Sequence, residues 1–183
     1  MTRLVLCLGG VLAACDTSGS SVATSLVSSD GQTKADGPAL TEGSAAPNAT
    51  LRLQNGKSVE VASLRGRQVV LYFYPRDDTP GCRIEAQGFR DEQDALQQAG
   101  VVVYGVSTQD AASHVAFIEK EKLNFDLVVD SDGAVARAFG VPVRAQLAAR
   151  HTVLIDAQGK IKRVWRSVSP AGHAAEVLAA ASL

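Results

Sequence analysis

The chain has 183 residues, with 18 Lys and Arg against 19 Asp and Glu, which gives a formal net charge of −1. That length suits one domain with appendages, and the balanced charge offers no bulk attraction to nucleic acid, which we exclude as a partner. No unbroken apolar stretch reaches the roughly 18 residues of an ordinary transmembrane helix, and three cysteines are too few for a disulfide framework.

The first residues predict an export signal over residues 1–14. A positive Arg3 precedes a short apolar run and small residues, which is the layout of a secretory signal peptide. The ending Leu12-Ala13-Ala14-Cys15 resembles the lipobox of bacterial lipoproteins. This resemblance implies cleavage before Cys15, lipid on Cys15, and an exported protein anchored to a membrane and facing the periplasm or cell exterior. A chance cysteine in a plain signal peptide is the alternative.

Residues 15–46 are predicted to form a flexible tether. Ser, Thr, Gly, Asp and Pro dominate this segment, and it contains no aromatic residue. Such a composition cannot bury enough apolar surface to offset the entropy lost on ordering. We therefore expect the folded domain to span residues 47–183.

Strands and helices alternate through this domain. A hairpin around Asn55-Gly56 is followed by a buried apolar strand over residues 69–74. A helix is predicted over 82–98, a strand over 101–107, and a second helix that begins after the capping residue Asp110. A short strand over 125–129, a short helix over 132–139 and a hairpin over 152–168 follow. The last helix is capped by Ser169 and opened by Pro170. This order predicts a thioredoxin-like α/β sandwich, in which helices flank a central mixed β-sheet and an N-terminal β-hairpin precedes it.

Cys82 lies where chemistry is expected. It follows a buried strand and stands at the start of a helix, where unpaired N–H groups and the helix dipole favour an anion. Thiols in such positions have a lowered pKa, and the thiolate is the nucleophilic form. An inert buried cysteine is the alternative on location alone.

The residues around Cys82 resemble the active-site segment of the peroxiredoxins, and most closely of their bacterioferritin comigratory, or Q-type, group. The segment reads Phe-Tyr-Pro-Arg-Asp-Asp-Thr-Pro-Gly-Cys over residues 73–82, and presents the family pattern of Pro75, Thr79 and Cys82. The likeness continues through Gly105-Val106-Ser107 and Arg150-His151-Thr152, and it covers essentially everything from residue 43 onward.

The resemblance implies a role for each of four residues. Cys82 would attack a peroxide oxygen and become a sulfenic acid. Thr79 would hydrogen-bond the peroxide, Pro75 would shield the sulfur from water, and Arg150 would stabilise the thiolate and the charge developing on oxygen. The implied enzyme is a thiol-dependent antioxidant peroxidase that maintains cell redox homeostasis and needs no metal, flavin or haem.

A second reacting cysteine is missing from the domain. Two-cysteine members of the group often carry a resolving cysteine five residues after the first, but position 87 is Gln and no cysteine follows Cys82. We therefore expect a one-Cys mechanism in which an external thiol, such as a thioredoxin-like protein or a small thiol, reduces the sulfenic acid. Cys15 on its tether is the remaining internal candidate, which lipidation would remove.

Rival chemistries are poorly supported. A thiol–disulfide oxidoreductase would need a cysteine at position 85, which is Glu, and the three histidines have no metal-ligand spacing. We interpret His114 as a helix-surface residue and Asp77-Asp78 as part of a solvated loop. The alternative function is a redox-sensing or binding lipoprotein of the same fold, in which Cys82 reacts without turnover.

Overall fold

The computed structural model of the chain describes residues 40–183, so the predicted signal peptide, Cys7 and Cys15 lie outside the described residues. Within this range there are nine strands and five α-helices. The strands are β1 (Thr50–Arg52), β2 (Ser58–Glu60), β3 (Gln68–Phe73), β4 (Val101–Ser107), β5 (Asp126–Val129), β6 (Val143–Arg144), β7 (Leu147–Ala148), β8 (His151–Ile155) and β9 (Ile161–Trp165). The helices are α1 (Pro80–Asp91), α2 (Gln93–Gln98), α3 (Ala111–Glu121), α4 (Ala134–Ala138) and α5 (His173–Ala181).

The central sheet is mixed, as the sequence predicts. Its strand order is β5-β4-β3-β8-β9. Strands β3, β4 and β5 run parallel, whereas β8 pairs antiparallel with β3 and β9 antiparallel with β8. The β3–β8 register places Phe73 opposite His151. The carboxyl end of β3, from which the loop to Cys82 departs, therefore lies beside the residue that begins β8.

Both faces of the sheet are covered, because alternate side chains of β3 enter two separate apolar clusters. Leu71 and Phe73 belong to a cluster that also contains the N-terminal hairpin and α4. Val70 and Tyr72 belong to a second cluster with side chains of α1, α2, α3 and α5. The continuous apolar run at β3 thus forms a strand buried on both sides.

No helix between residues 40 and 183 has the length and apolar character needed to cross a bilayer.

Gly105 of β4 offers a test of this packing. A Cβ atom at residue 105 would lie 2.6 Å from both the Tyr72 hydroxyl and a Leu127 methyl, and both side chains are fully buried. Replacing Gly105 by Ala should therefore lower the free energy of unfolding by about 1–3 kcal/mol or more, measured by urea denaturation. Gly88→Ala is the matched control, because its Cβ would meet only the Ala174 Cβ at an ordinary 3.6 Å. We expect that change to be neutral or stabilising, and equal losses in the two variants would contradict the packing argument.

Two predicted helices differ from the structure, and one hairpin is absent from the prediction. The helix expected over residues 82–98 is two helices, because the chain leaves helical geometry at Glu92 (ψ 2°), and the first of them begins at Pro80. The last helix does not begin at Ser169 and Pro170. It begins at His173 after Gly172, whose φ of +80° interrupts any earlier helix. The hairpin of β6 and β7 was not predicted, since its turn places two ordinary residues, Ala145 and Gln146, at positive φ without a glycine or asparagine to signal it.

The domain also begins earlier than expected. Leu40 is buried in the first apolar cluster, and Gly43 N donates to the Ile161 carbonyl at 2.8 Å. Ala46 N donates to the Gly159 carbonyl at 2.9 Å. Residues 40–46, which we assigned to the tether, therefore pack beside β9. Backbone hydrogen bonds of this kind leave no mark on composition, which is why the tether prediction extended too far.

Candidate active site

Cys82 lies in the first turn of α1 and is almost fully buried, with 1% of its surface exposed. Thr79 is the N-cap residue, Pro80 opens the helix, and Arg83 N donates to the Thr79 carbonyl at 2.9 Å. Pro suits this position because its missing N–H would have no partner there. The sulfur consequently lies near the positive end of the helix dipole, as the sequence predicts.

Arg150 joins the site from the neighbouring strand of the sheet. It immediately precedes β8, and its Nη2 atom donates to the Cys82 sulfur at 3.2 Å. Only 19% of its side-chain surface is exposed. Burial opposes the charge of Arg150, but Glu85 and Cys82 together hold its pKa above the ordinary value. The structure therefore brings together two residues, 68 positions apart in sequence, that the resemblance paired.

Glu85 is a site residue that sequence analysis missed. The Arg150 Nη1 atom binds Glu85 Oε2, so one guanidinium contacts both the carboxylate and the sulfur. Glu85 is buried, and within the described residues its Oε1 atom has no hydrogen-bond partner. Burial therefore raises its pKa to about 7, although Arg150 acts in the opposite direction. The spacing in the sequence could have indicated this contact, because Glu85 lies three positions after Cys82 and therefore on the same face of the helix.

Replacing Glu85 by Gln should remove a pH dependence of stability. The carboxyl titrates near 4.5 when the chain is unfolded and near 7 when it is folded. The folded state therefore binds the extra proton between these values, and the free energy of unfolding falls as pH rises through them. Between about pH 5 and pH 8, the free energy of unfolding of the wild-type chain should fall by up to about 3 kcal/mol more than that of the variant. Urea denaturation at each pH measures this difference.

The control for this measurement is Glu119→Gln, because Glu119 is an exposed carboxylate on the outer face of α3. It should follow the wild-type pH profile. The same fall in stability in wild type and in Glu85→Gln would mean that Glu85 does not hold its proton in the folded chain.

Thr79 and Pro75 flank the loop that leads into the site. Pro75 is half-buried and lies two residues after the end of β3. Thr79 is half-buried, and its side chain makes no capping hydrogen bond to α1. Its hydroxyl donates instead to the Arg76 carbonyl at 3.4 Å, a long and weak bond. A small polar molecule beside Cys82 can therefore compete for that hydroxyl at little cost.

Two interpretations of the neighbouring residues are wrong. His114 is fully buried rather than on the helix surface, and Asp77 is 7% exposed rather than solvated. The two side chains are in contact at 2.9 Å. Asp78 alone fits the expected solvated loop, where it forms an exposed ion pair with Lys120. Between residues 40 and 183, no three His, Cys, Asp or Glu side chains are grouped so that they could hold a metal ion.

Comparison with known proteins places this geometry in a family. The family model described as AhpC/TSA matches residues 43–164, which include all the site residues above. The chain belongs to the AhpC/TSA family. Within that family it is similar to a chloroplastic peroxiredoxin Q of Oryza sativa subsp. japonica, with 42% identity over 142 residues, covering 76% of this chain and 65% of the rice protein. The chain thus spans slightly less than two thirds of that relative.

Solved structures support both the fold and the subgroup. A bacterioferritin comigratory protein of Xanthomonas campestris, described for its alkyl peroxide reduction activity, superposes with a TM-score of 0.70 at 34% identity, covering 78% of this chain and 95% of that one. The peroxidoxin BcpB of Mycobacterium tuberculosis gives a TM-score of 0.72 at 31% identity, covering 78% and 96%. The thioredoxin-like fold with a central mixed sheet is therefore confirmed, and the likeness is to the peroxiredoxin Q and bacterioferritin comigratory group.

Proposed function

We propose that this chain is a thiol-dependent peroxidase that reduces hydrogen peroxide and organic hydroperoxides at Cys82. The observation that carries the proposal is the 3.2 Å contact between Arg150 Nη2 and a sulfur held in the first turn of a helix. A guanidinium and a helix N-terminus both favour a thiolate and an oxyanion beside it. The alkyl peroxide reduction described for the Xanthomonas relative supports the same substrate class.

The reaction forms a sulfur–oxygen bond as the peroxide bond breaks. The Cys82 thiolate attacks the terminal oxygen of ROOH, which leaves a cysteine sulfenic acid and an alkoxide that takes up a proton to become ROH, or water when the substrate is hydrogen peroxide. Sulfur loses two electrons and the peroxide gains them. Arg150 stabilises the charge on the oxygens, Thr79 hydrogen-bonds the peroxide, and Pro75 keeps excess water from the sulfur.

The return step uses an external thiol. Cys82 is the free cysteine of the described residues, and the full sequence adds only Cys7 and Cys15. A first thiol condenses with the sulfenic acid and releases water. A second thiol then attacks the mixed disulfide and restores Cys82. Gln87, five residues after Cys82, donates instead to the Glu121 carboxylate at 2.6 Å.

A variant with Cys7 and Cys15 replaced by Ser tests the one-Cys mechanism, because it leaves Cys82 as the only thiol. We expect peroxide consumption to continue over many turnovers with a thioredoxin, glutathione or dithiothreitol, and mass spectrometry to detect a mixed disulfide on Cys82. Loss of turnover in this variant, when the wild-type chain turns over, would identify Cys15 as the resolving residue instead.

The alternative function is redox sensing without turnover. It predicts that one equivalent of peroxide is consumed per chain and that no supplied thiol sustains the reaction. The intact set of Pro75, Thr79, Cys82 and Arg150 favours the peroxidase. A rate of sulfenic acid formation equal to that of free cysteine would favour the alternative.

We also propose that the enzyme is a lipoprotein anchored through Cys15, exported to face the periplasm or the cell exterior. The sequence Leu12-Ala13-Ala14-Cys15 after a short apolar run supports this proposal. Mass spectrometry of the mature N-terminus should find an acylated Cys15. An unmodified N-terminus at any other residue would contradict it.

A further inference from the structure

A buried hydrogen-bonded pair, Asp77 and His114, lies behind the loop that carries the candidate active site. Asp77 lies between Pro75 and Thr79, and its carboxylate accepts three side-chain hydrogen bonds. Tyr74 donates to Oδ1 at 2.7 Å, and Ser113 donates to Oδ2 at 2.6 Å. The third donor is His114 Nδ1, at 2.9 Å from Oδ2. The peroxidase mechanism proposed above uses none of these contacts.

Both ring nitrogens of His114 have partners. Its Nε2 atom lies 3.1 Å from the Val128 carbonyl, which can only accept, so Nε2 carries hydrogen. Nδ1 faces Asp77. Burial alone would raise the pKa of Asp77, but the hydrogen bonds from His114, Ser113 and Tyr74 lower it, so this side chain is a carboxylate. Each ring nitrogen of His114 therefore faces an oxygen acceptor, the Asp77 carboxylate on one side and the Val128 carbonyl on the other.

The loop needs such a support because its backbone is strained. Asp78 adopts a φ of +57°, a left-handed conformation that costs free energy for a residue other than glycine. Such a conformation persists where contacts of the residue and of its chain neighbours hold the backbone in place. Lys120 holds the Asp78 carboxylate at 2.6–2.7 Å, and His114 with Ser113 holds Asp77. Both supports come from α3.

We propose that His114 is a positioning residue for the peroxide reaction, acting through Asp77 to fix the segment from residue 75 to residue 82. One ring nitrogen is held by the carbonyl of Val128 in β5, and the other holds the loop. The hydrogen bond between His114 and Asp77 thereby links the loop that carries Thr79 and Cys82 to strand β5. Misplacement of a reacting group by about 1 Å costs on the order of 10²-fold in rate. This inference rests on the peroxide reaction at Cys82, but not on the one-Cys return step.

Two substitutions separate the two hydrogen bonds of His114. In His114→Asn the amide nitrogen can replace Nδ1 and donate to Asp77, whereas in His114→Gln it can replace Nε2 and donate to Val128. If His114 acts through Asp77, the Gln variant should slow the single-turnover reaction of Cys82 with hydrogen peroxide by about 30–100-fold, and the Asn variant by less than about fivefold. Asp77→Asn alone should slow the reaction strongly. In a chain that already carries His114→Gln, adding Asp77→Asn should lower the rate little further, because both changes break the same contact.

Leu96→Ala is the control for loss of stability alone, because Leu96 is a fully buried side chain of α2 outside the Asp77 network. Its rate per folded chain should equal that of wild type. A loss in Leu96→Ala as large as in His114→Gln, or equal rates in the Asn and Gln variants, would overturn the proposal.

Hydrogen exchange of the amides in residues 76–82 tests the positioning directly. Exchange should accelerate in His114→Gln and change little in His114→Asn. Equal exchange in wild type and both variants would overturn the proposal. A wild-type chain whose Cys82 reacts with peroxide no faster than free cysteine would instead refute the proposed function, and the exchange result would still decide whether His114 fixes the loop.

Discussion

Replacing Cys82 by Ser should abolish peroxide reduction while the fold remains intact. A serine hydroxyl is not ionised at neutral pH and cannot form a sulfenic acid, so the rate should fall by on the order of 10⁴-fold or more. The side chain is nearly the same size, and Arg150 keeps its contact with Glu85. We therefore expect the free energy of unfolding to stay within about 1 kcal/mol of wild type. Peroxide consumption and urea denaturation check the two statements.

The matched control is Cys15→Ser, which removes a different thiol from the same chain. If Cys15→Ser loses the first peroxide reaction and Cys82→Ser retains it, the reacting sulfur has been assigned to the wrong residue. A Cys82→Ser chain that fails to fold would leave Arg150 as the independent test of the site.

Arg150→Lys should slow the reaction by about 10²–10³-fold. The guanidinium reaches Glu85 with one nitrogen and Cys82 with the other. Lysine has a single nitrogen and cannot keep both contacts, although the positive charge remains. Because the lost contact is with the reacting sulfur, we expect the second-order rate constant for peroxide to fall more than stability does. Stopped-flow oxidation of Cys82 measures the rate constant.

Arg163→Lys provides the comparison for Arg150. Arg163 is half-exposed on β9 and lies over the Trp165 ring at 4.9 Å. Its replacement removes a guanidinium of the same domain without touching the site, so the rate should stay within twofold of wild type. An Arg150→Lys chain that reacts as fast as Arg163→Lys would exclude Arg150 from the reaction.

Local patterns predicted the strand and helix that present Cys82, because both signals lie within a few residues of it. The apolar run of β3 is continuous, and α1 begins at Pro80, two residues before the expected start at Cys82. Likewise, Asp110 caps α3 as expected, with its side chain accepting from Ser113 N at 2.8 Å. Propensity and capping act over one helical turn, so sequence reasoning succeeds at that range.

Arg150 could not be found in this way. Nothing in the residues around it distinguishes it from a surface arginine, and only the resemblance to a family indicated its role. The physical reason is that its environment comes from the pairing of β8 with β3 and from Glu85. Both are contacts between distant parts of the chain, which no local periodicity encodes.

The interpretations of His114 and Asp77 failed for a related reason. Each is a polar residue that sequence statistics place in solvent, and each is buried with its polar atoms hydrogen-bonded to the other and to neighbouring groups. A weak signal did exist. His114, Phe117 and Glu121 follow helical spacing on α3, and all three are buried.

The assembly of the site across the β3–β8 pairing also ties reactivity to folding. Cys82 meets its guanidinium only after a contact spanning 68 residues has formed. An incompletely folded chain therefore lacks the guanidinium beside its thiol, and the proposed reactivity toward peroxide should appear together with the native topology. If Cys82 reacts with peroxide as proposed, the speed of that reaction is thus a chemical reporter of the fraction of molecules that have reached the native state.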